Sequence, residues 1–126
     1  FKINKADYVS HCLNRIFPYG LDCEVFSYKA LRDAHYNALS DDEKEHVTVY
    51  MVKNKNVLAY TVEEEYRGNF RLTLDEEDDY TLIKHLYDKF YEENKIIDTK
   101  KVIQYLKDNP HISQINSKVK QKKSIV

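Results

Sequence analysis

The chain has 126 residues, 42% hydrophobic and 33% charged, which is the balance of an ordinary soluble globular domain. Its formal net charge of −1 gives no electrostatic reason to expect nucleic acid as a partner. No apolar run approaches the roughly 20 residues of a membrane span and no signal-peptide pattern opens the chain, so we expect a cytoplasmic protein with no membrane partner.

Strand and helix patterns alternate along the chain. β-Branched and aromatic residues mark the strands, and apolar residues at helical spacing mark the helices. In chain order, the predicted elements are a strand at 7–12, a strand at 21–26, a helix at 28–39, a helix from 40 to about 54, a strand at 57–62, a strand at 70–74, a helix at 78–93 and a helix at 99–108. This alternation predicts a single α/β layered domain with an incomplete sheet, followed by a loose helix or frayed basic tail over 111–126.

The first candidate site lies in the second predicted strand. Side chains alternate between the two faces of a strand, so Asp22 and Glu24 are predicted on one face, with Cys23 and Val25 on the other. Two neighbouring carboxylates repel each other unless something positive lies between them. The pair therefore indicates either a site for a cation, sugar hydroxyls or an arginine, or a solvated edge strand.

Asp75 is the second candidate, because it directly follows the predicted strand 70–74. In α/β sheets, ligands bind at the carboxyl ends of strands. The alternative is that Asp75 caps the next helix, with Asp78 as its capping partner. The cluster Glu76–Asp79 is expected to be a solvated first helical turn with no metal role.

Glu45 and His46 form a third candidate, although a single histidine early on a helix is more often a surface residue than a catalyst. The other histidines show no ligand spacing and are expected to be structural; they are His11, His35, His85 and His111. Cys12 and Cys23 have no CxxC spacing and are expected to be buried or idle thiols.

Glycine is scarce, with Gly20 and Gly68 as its two occurrences. A nucleotide-binding protein normally needs a glycine-rich loop, so that backbone N–H groups can approach the phosphates. The sequence contains no such loop. The chain also begins at Phe1 rather than Met, and we expect it to be a piece of a longer protein.

Three motifs occur in a characteristic order. The first is Tyr8-Val9-Ser10 followed by Arg15-x-Phe17-Pro18-x-Gly20-Leu21-Asp22-x-Glu24-Val25-Phe26-Ser27. The second is Glu45-His46-Val47-Thr48 with Tyr50, and the third is Arg71-x-Thr73-x-Asp75 followed by Asp78 or Asp79 and Tyr80. Together they resemble the cytidylyltransferases that activate acidic sugars as CMP conjugates, in particular the spore coat polysaccharide biosynthesis protein F type.

The resemblance spans roughly residues 5–110. It implies the C-terminal portion of a three-layer α/β sandwich of the nucleotide-diphospho-sugar-transferase type, with an incomplete mixed sheet and flanking helices. It assigns 1–110 to a sugar-binding and dimerisation half and 111–126 to a basic tail. A CTP-binding half with the phosphate loop should precede Phe1, so this chain is expected to be inactive alone.

In the implied reaction, a sugar carboxylate or hydroxyl attacks the α-phosphate of CTP and pyrophosphate leaves. By the resemblance, Asp75 looks like a ligand of Mg²⁺, which prefers hard oxygen ligands. The implied substrate-binding residues are Arg15 and Arg71 for anions, Asp22 and Glu24 for sugar hydroxyls, and Glu45, His46 and Thr48 from the second motif. The implied assembly is a homodimer.

Some positions depart from the family pattern: His11, Ile16, Lys44 and Val49 stand where Asn, Thr, Arg and Pro are usual. Two other functions stay open. One is a non-catalytic dimerisation or assembly module whose interface includes tyrosines, among them Tyr36, Tyr50, Tyr60 and Tyr66. The other is a nucleotidyltransferase of different base specificity, since base choice would be set in the preceding half.

Overall fold

A computed structural model describes residues 5–120 of the chain, which form two compact units. Within the described residues, the first unit consists of 5–15 and 23–61, and the second unit consists of 16–22 and 62–120. None of the described helices is long and apolar enough to cross a membrane.

A three-stranded mixed sheet forms the centre of the first unit. Its middle strand, β1 (Tyr8–Ser10), pairs antiparallel with β2 (Glu24–Phe26) and parallel with β3 (Val57–Ala59). In this register Ser10 lies opposite Glu24. The predicted α/β class, with an incomplete mixed sheet and flanking helices, is confirmed, although each strand is shorter than its sequence pattern suggested.

Three helices accompany this sheet: α1 (Tyr28–Asn37), α2 (Asp41–Glu45) and α3 (Val49–Asn54). Ser27 caps α1 by accepting the Ala30 N–H at 3.0 Å, and the predicted capping box of Ser40 and Glu43 opens α2. The prediction of one continuous helix from 40 to about 54 was wrong. The backbone of His46 is extended, and β-branched residues at Val47 and Thr48 disfavour a helix there.

The core of the first unit joins the sheet to two of these helices. Tyr8 of β1 packs with Ala30 and Ala34 of α1 and with Met51 of α3, and all four are buried. Since both alanines are small and lie four residues apart, they fall on one face of α1 and leave space for a tyrosine ring.

The second unit is largely helical, with α4 (Glu77–Phe90), α5 (Thr99–Asp108) and the short α6 (Pro110–Ser113). Its core consists of Leu82 and Leu86 of α4 together with Val102 and Leu106 of α5. Side chains packed against this core include Phe70, Leu72, Ile112 and Ile115.

A loose helix or a frayed tail was expected after residue 110; the segment begins with the short helix α6, and as far as Asn116 it is not frayed. Ile112 and Ile115 pack on the core of the second unit and Asn116 is 2% exposed, so this stretch is part of the folded unit. The rest of the predicted tail, residues 121–126, lies outside the described residues. The proposed division into 1–110 and 111–126 as functional segments stays a prediction.

The predicted strand at 70–74 does not form. Arg71 makes an isolated parallel bridge with Tyr19: the Tyr19 N–H donates to Phe70 O at 2.9 Å, and the Leu72 N–H donates to Tyr19 O at 2.8 Å. Pairing does not continue toward residue 21, because Gly20 has a φ of +93° and so leaves the extended conformation of a strand.

Replacing Gly20 by alanine should destabilise the second unit. A Cβ at this position would lie 2.7 Å from Thr73 N and would also meet the Leu72 carbonyl, and φ +93° is unfavourable for any L side chain. We expect Gly20→Ala to lower the free energy of unfolding in urea by about 1–3 kcal/mol.

Asn94 provides the matched control, because its φ is also positive at 62° but its side chain is exposed. Asn94→Gly should leave the free energy of unfolding unchanged or raise it slightly, since glycine adopts that φ without strain. A Gly20→Ala variant as stable as the unsubstituted chain would contradict the close approach of residue 20 to the 72–73 backbone.

Candidate functional site

Glu24 and Thr48, which come from the first and second motifs, meet in the first unit. Thr48 Oγ1 donates to Glu24 Oε1 at 3.3 Å, and Tyr8 Oη donates to the same oxygen at 2.5 Å. Tyr8 is fully buried, whereas Glu24 is exposed. Two candidate residues 24 positions apart are thus hydrogen-bonded. Tyr8 bonds to the same carboxylate; it belongs to the first motif, but the sequence assigned it no role.

The environment of Tyr8 keeps its phenol protonated. Burial in the core, together with the hydrogen bond to the Glu24 carboxylate, raises the pKa of Tyr8 well above its ordinary value of 10.0. At neutral pH the hydroxyl is therefore a constant hydrogen-bond donor to Glu24.

Asp22 does not share a strand face with Glu24. The strand β2 begins at Glu24, so the exposed Asp22 precedes it and the alternation argument does not apply to that residue. The structure instead places the hydroxyls of Tyr8 and Thr48 around the Glu24 carboxylate. The role of Asp22 in sugar binding stays a prediction.

The other candidates of the first unit are not joined to Glu24 by any hydrogen bond or ion pair described within residues 5–120. Arg15 is half-buried and follows a 3-10 turn at Cys12–Asn14. Glu45 is the exposed last residue of α2, and the Nε2 of exposed His46 lies 3.8 Å from Asp42 Oδ1. The roles of all three in substrate binding stay predictions.

His11 has a definable structural role. It is 7% exposed, and its Nε2 accepts the backbone N–H of Cys23 at 3.1 Å. An Nε2 that accepts a hydrogen bond belongs to the neutral tautomer with its proton on Nδ1. This histidine therefore connects the chain just before β2 to the end of β1.

In the second unit, Arg71 of the third motif contacts two carboxylates. Its Nε donates to Asp79 Oδ1 at 2.9 Å, and its Nη2 donates to Asp79 Oδ2 at 2.8 Å and to Asp75 Oδ2 at 2.9 Å. The exposures of the two acids differ: the Asp79 side chain is fully buried, and the Asp75 side chain is 66% exposed.

Asp79 is surrounded by donors. Besides Arg71, it accepts the backbone N–H groups of Asp75 at 3.1 Å and Glu76 at 3.2 Å, and the Asn116 side-chain amide at 2.8 Å. Asn116 also donates to Arg71 O at 2.9 Å. The Arg71 hydrogen bonds above all, followed by those from Asn116 and the backbone, hold the pKa of Asp79 far below its usual value.

The expectation of a solvated first turn at Glu76–Asp79 was therefore wrong for Asp79. Helix α4 is capped at Glu76, with Asp79 as the third helical residue accepting the Glu76 N–H, so neither Asp75 nor Asp78 fills the predicted capping roles. A carboxylate three residues after a cap is a recognised sequence signal. The burial of Asp79 could not be recognised from the sequence, because its partner Asn116 lies 37 positions further along the chain.

Asp75 can hold Mg²⁺ only if the ion takes most of its ligands from water or substrate and few from the protein. No cluster of three or more His, Cys, Asp or Glu side chains that is close enough to hold a metal ion includes Asp75 among residues 5–120. Mg²⁺ is commonly held by one or two carboxylates, with substrate phosphates and water completing the shell. An exposed Asp75 suits that kind of site, but not a cage made of protein ligands alone.

Comparison with known proteins supports the fold. No protein-family model matches the sequence. The uncharacterized protein MJ1063 of Methanocaldococcus jannaschii is 38% identical over 123 residues, which cover 94% of this chain and 49% of that protein. A solved cytidylyltransferase structure from Leptospira borgpetersenii serovar Hardjo-bovis matches 98% of this chain and 51% of its own, with a TM-score of 0.78 and 24% identity. The chain has the fold of about half of that cytidylyltransferase, and spans about half the length of both proteins.

Neutralising Asp79 should cost much more stability than neutralising Asp75. Asp79→Asn leaves the largely buried Arg71 without its main counter-charge, so we expect the free energy of unfolding to fall by about 3 kcal/mol. Asp75→Asn removes an exposed partner of the same arginine and should cost less than about 1 kcal/mol. Urea unfolding of the two variants makes the comparison, and equal losses would contradict the organising role of Asp79.

The same two variants should differ in how their stability depends on pH. The pKa of Asp79 is lower in the folded chain than the ordinary value of 3.8, so the unfolded chain takes up the proton first as the pH falls. The stabilisation by Asp79 is complete above about pH 5 and decreases as the pH falls below about 4. Asp79→Asn should lack this decrease. Asp75→Asn should keep this decrease in stability at low pH. The pKa values of Asp33 and Glu43 are also lowered, but these two residues contribute equally to the pH dependence of both variants.

Proposed function

We propose that this chain is the sugar-binding half of a CTP-dependent cytidylyltransferase, which activates an acidic sugar as a CMP conjugate for surface polysaccharide synthesis. The observation that carries the proposal is the hydrogen-bonded cluster of Tyr8, Glu24 and Thr48, which joins residues of two separate motifs. The likeness of the fold to half of a solved cytidylyltransferase supports it. The spore coat type of the family and a cytoplasmic location belong to the same proposal.

The proposed chemistry divides the work between two halves. In the half that would precede Phe1, backbone amides of a glycine-rich loop would hold CTP. In this chain, Glu24 and Asp22 would accept hydrogen bonds from sugar hydroxyls, and Arg15 and Arg71 would contact anionic groups. The sugar oxygen then bonds to the α-phosphorus of CTP, and a hydroxyl nucleophile gives up its proton to solvent. The bond between the α-phosphorus and the β-phosphate oxygen breaks, and pyrophosphate leaves with the bonding electron pair.

A magnesium ion would fit this proposal through Asp75. Its carboxylate is exposed and follows the 71–74 segment, so it is accessible to a metal–phosphate complex. Bound there, Mg²⁺ would neutralise part of the charge on the phosphates. Thr73 Oγ1, in the same motif, is buried with no hydrogen-bond partner among the described residues, and an ordered water or a ligand oxygen would satisfy it.

We expect no turnover from this chain alone. A pyrophosphate-release assay with CTP, Mg²⁺ and N-acetylneuraminate, as a representative acidic sugar, should give no signal with the 126-residue chain. The protein encoded together with the sequence upstream of Phe1 should be active on an acidic sugar. In that longer protein, Glu24→Ala should raise the KM for the sugar at least tenfold and leave the KM for CTP unchanged.

Two results would contradict the proposal. Turnover by the chain alone would defeat the division into two halves. An equal rise in both KM values would show that Glu24 does not act specifically in the sugar site.

A nucleotidyltransferase of another base specificity would differ only in the preferred nucleotide, which the same assay measures with UTP, ATP and GTP in place of CTP.

A homodimer is the assembly we propose, on the evidence of apolar side chains exposed along α1 and just beyond it. Tyr28 is 77% exposed, Tyr36 76% and Leu39 85%, and aromatic residues are enriched in interfaces. Of the other tyrosines predicted for the interface, Tyr60 is exposed, while Tyr50 and Tyr66 are half-buried.

Sedimentation velocity should detect this dimer. The unsubstituted chain is expected to sediment as a dimer, and Tyr36→Lys with Leu39→Lys as a monomer, because charged side chains are depleted from interface cores. Tyr91→Lys is the control, since Tyr91 is 60% exposed but belongs to the second unit. A monomer at high concentration of the unsubstituted chain would count against both the dimer and the assembly-module alternative.

A further inference from the structure

The Glu24 carboxylate is held through only one of its two oxygens. Both hydrogen bonds to its side chain, from Tyr8 Oη at 2.5 Å and Thr48 Oγ1 at 3.3 Å, end on Oε1. Among residues 5–120, no hydrogen bond reaches Oε2 and no Lys, Arg or His forms an ion pair with Glu24. Glu24 is also an exposed residue, so a ligand can approach its side chain.

This arrangement differs from that of an ordinary edge-strand glutamate. Holding an exposed glutamate in one rotamer costs up to about 2 kcal/mol of side-chain entropy, so such a residue normally moves freely. Here the strongest contact is a short charge-assisted bond from a phenol. That phenol belongs to a fully buried ring in the core of the first unit, and is therefore itself immobile.

The second donor comes from the break between α2 and α3. Thr48 is the residue before α3, and its side chain makes no capping bond to that helix. Its hydroxyl instead reaches across to β2. A continuous helix from 40 to 54 would place Thr48 in the helix interior, where a threonine hydroxyl usually bonds a carbonyl of its own helix.

We infer that Tyr8 and Thr48 are positioning residues, which hold Oε1 of Glu24 so that Oε2 accepts a hydroxyl of the substrate sugar. The inference rests on the proposed function for the nature of the ligand. It rests on the structure for the geometry, in which donors on β1 and at the start of α3 converge on one oxygen of a residue on β2. Neither donor need touch the sugar.

The first measurement tests the geometry without any ligand. In NMR spectra of the 126-residue chain with ¹³C-labelled tyrosine, the Tyr8 hydroxyl proton should be visible at neutral pH because it exchanges slowly. Tyr8→Phe assigns the signal, and the exposed Tyr36 provides an internal reference that should show none. Glu24→Ala should abolish the signal. A signal unaffected by Glu24→Ala would overturn the inference.

The second measurement is a double-mutant cycle in which the binding of N-acetylneuraminate is measured by calorimetry. Tyr8→Phe and Thr48→Val should each weaken binding about fivefold to tenfold, which corresponds to one hydrogen bond. Thr48→Ser keeps the donor and should bind normally. In the Glu24→Ala background, neither Tyr8→Phe nor Thr48→Val should weaken binding further, because their effect acts through Glu24.

The outcomes separate the two proposals. Losses that add to that of Glu24→Ala would overturn the positioning role and leave the sugar-binding proposal intact. An unsubstituted chain that binds no N-acetylneuraminate would overturn the sugar role of Glu24, and the positioning role with it, whatever the NMR result. Unfolding curves of each variant identify any loss of binding that comes from a loss of folded protein.

Discussion

Burial of a single tyrosine organises the first unit. The ring of Tyr8 packs with Ala30, Ala34 and Met51, and this burial takes its hydroxyl away from bulk water. An unsatisfied hydroxyl in such a place costs about 1–3 kcal/mol in proteins, so the phenol needs an acceptor. It finds one in Glu24, on the neighbouring strand. Because of this requirement, the packing of the core also determines where the carboxylate of the candidate residue Glu24 lies.

Asp79 organises the second unit as Tyr8 organises the first. The difference is that in the second unit the buried residue itself carries the charge. A fully buried carboxylate is tolerated only when donors surround it. Those donors come from Arg71, from the backbone at Asp75 and Glu76, and from Asn116 beyond α6. One ion thus connects the segment before α4, the start of α4 and the chain after α6. These segments have no shared strand, and polar contacts supplement the apolar core in holding them together.

The parts of the fold that local patterns determine could be predicted from the sequence. The helices α1, α4 and α5 follow from apolar spacing, and the caps at Ser27 and Ser40 follow from residue type. The failures occurred where distant partners decide the outcome. The strand expected at 70–74 depends on a pairing segment that leaves the extended conformation at Gly20 and makes an isolated bridge.

The candidate site shows the same division. Glu24 and Thr48 could be named from motifs, but their contact depends on β2 lying beside β1 and on a helix break that periodicity does not reveal. Tyr8 could be named from the first motif, but its hydrogen bond to Glu24 could not be predicted, since that bond depends on the direction of the Tyr8 hydroxyl. Asp22 does not share a strand face with Glu24, because alternation of side chains requires a strand and β2 starts two residues after Asp22.

Arg71 links the two roles proposed for the third motif. It is bonded to two carboxylates, so the group of three carries a net charge of about −1, which favours a cation over a phosphate. Asp79 cannot exchange Arg71 for a metal ion without losing the contacts that organise the second unit. Asp75 can, because its exposed ion pair is worth little. In the proposed function, Arg71 can therefore contact an anion only when a cation compensates Asp75, so the anion-binding and metal-binding roles stand or fall together.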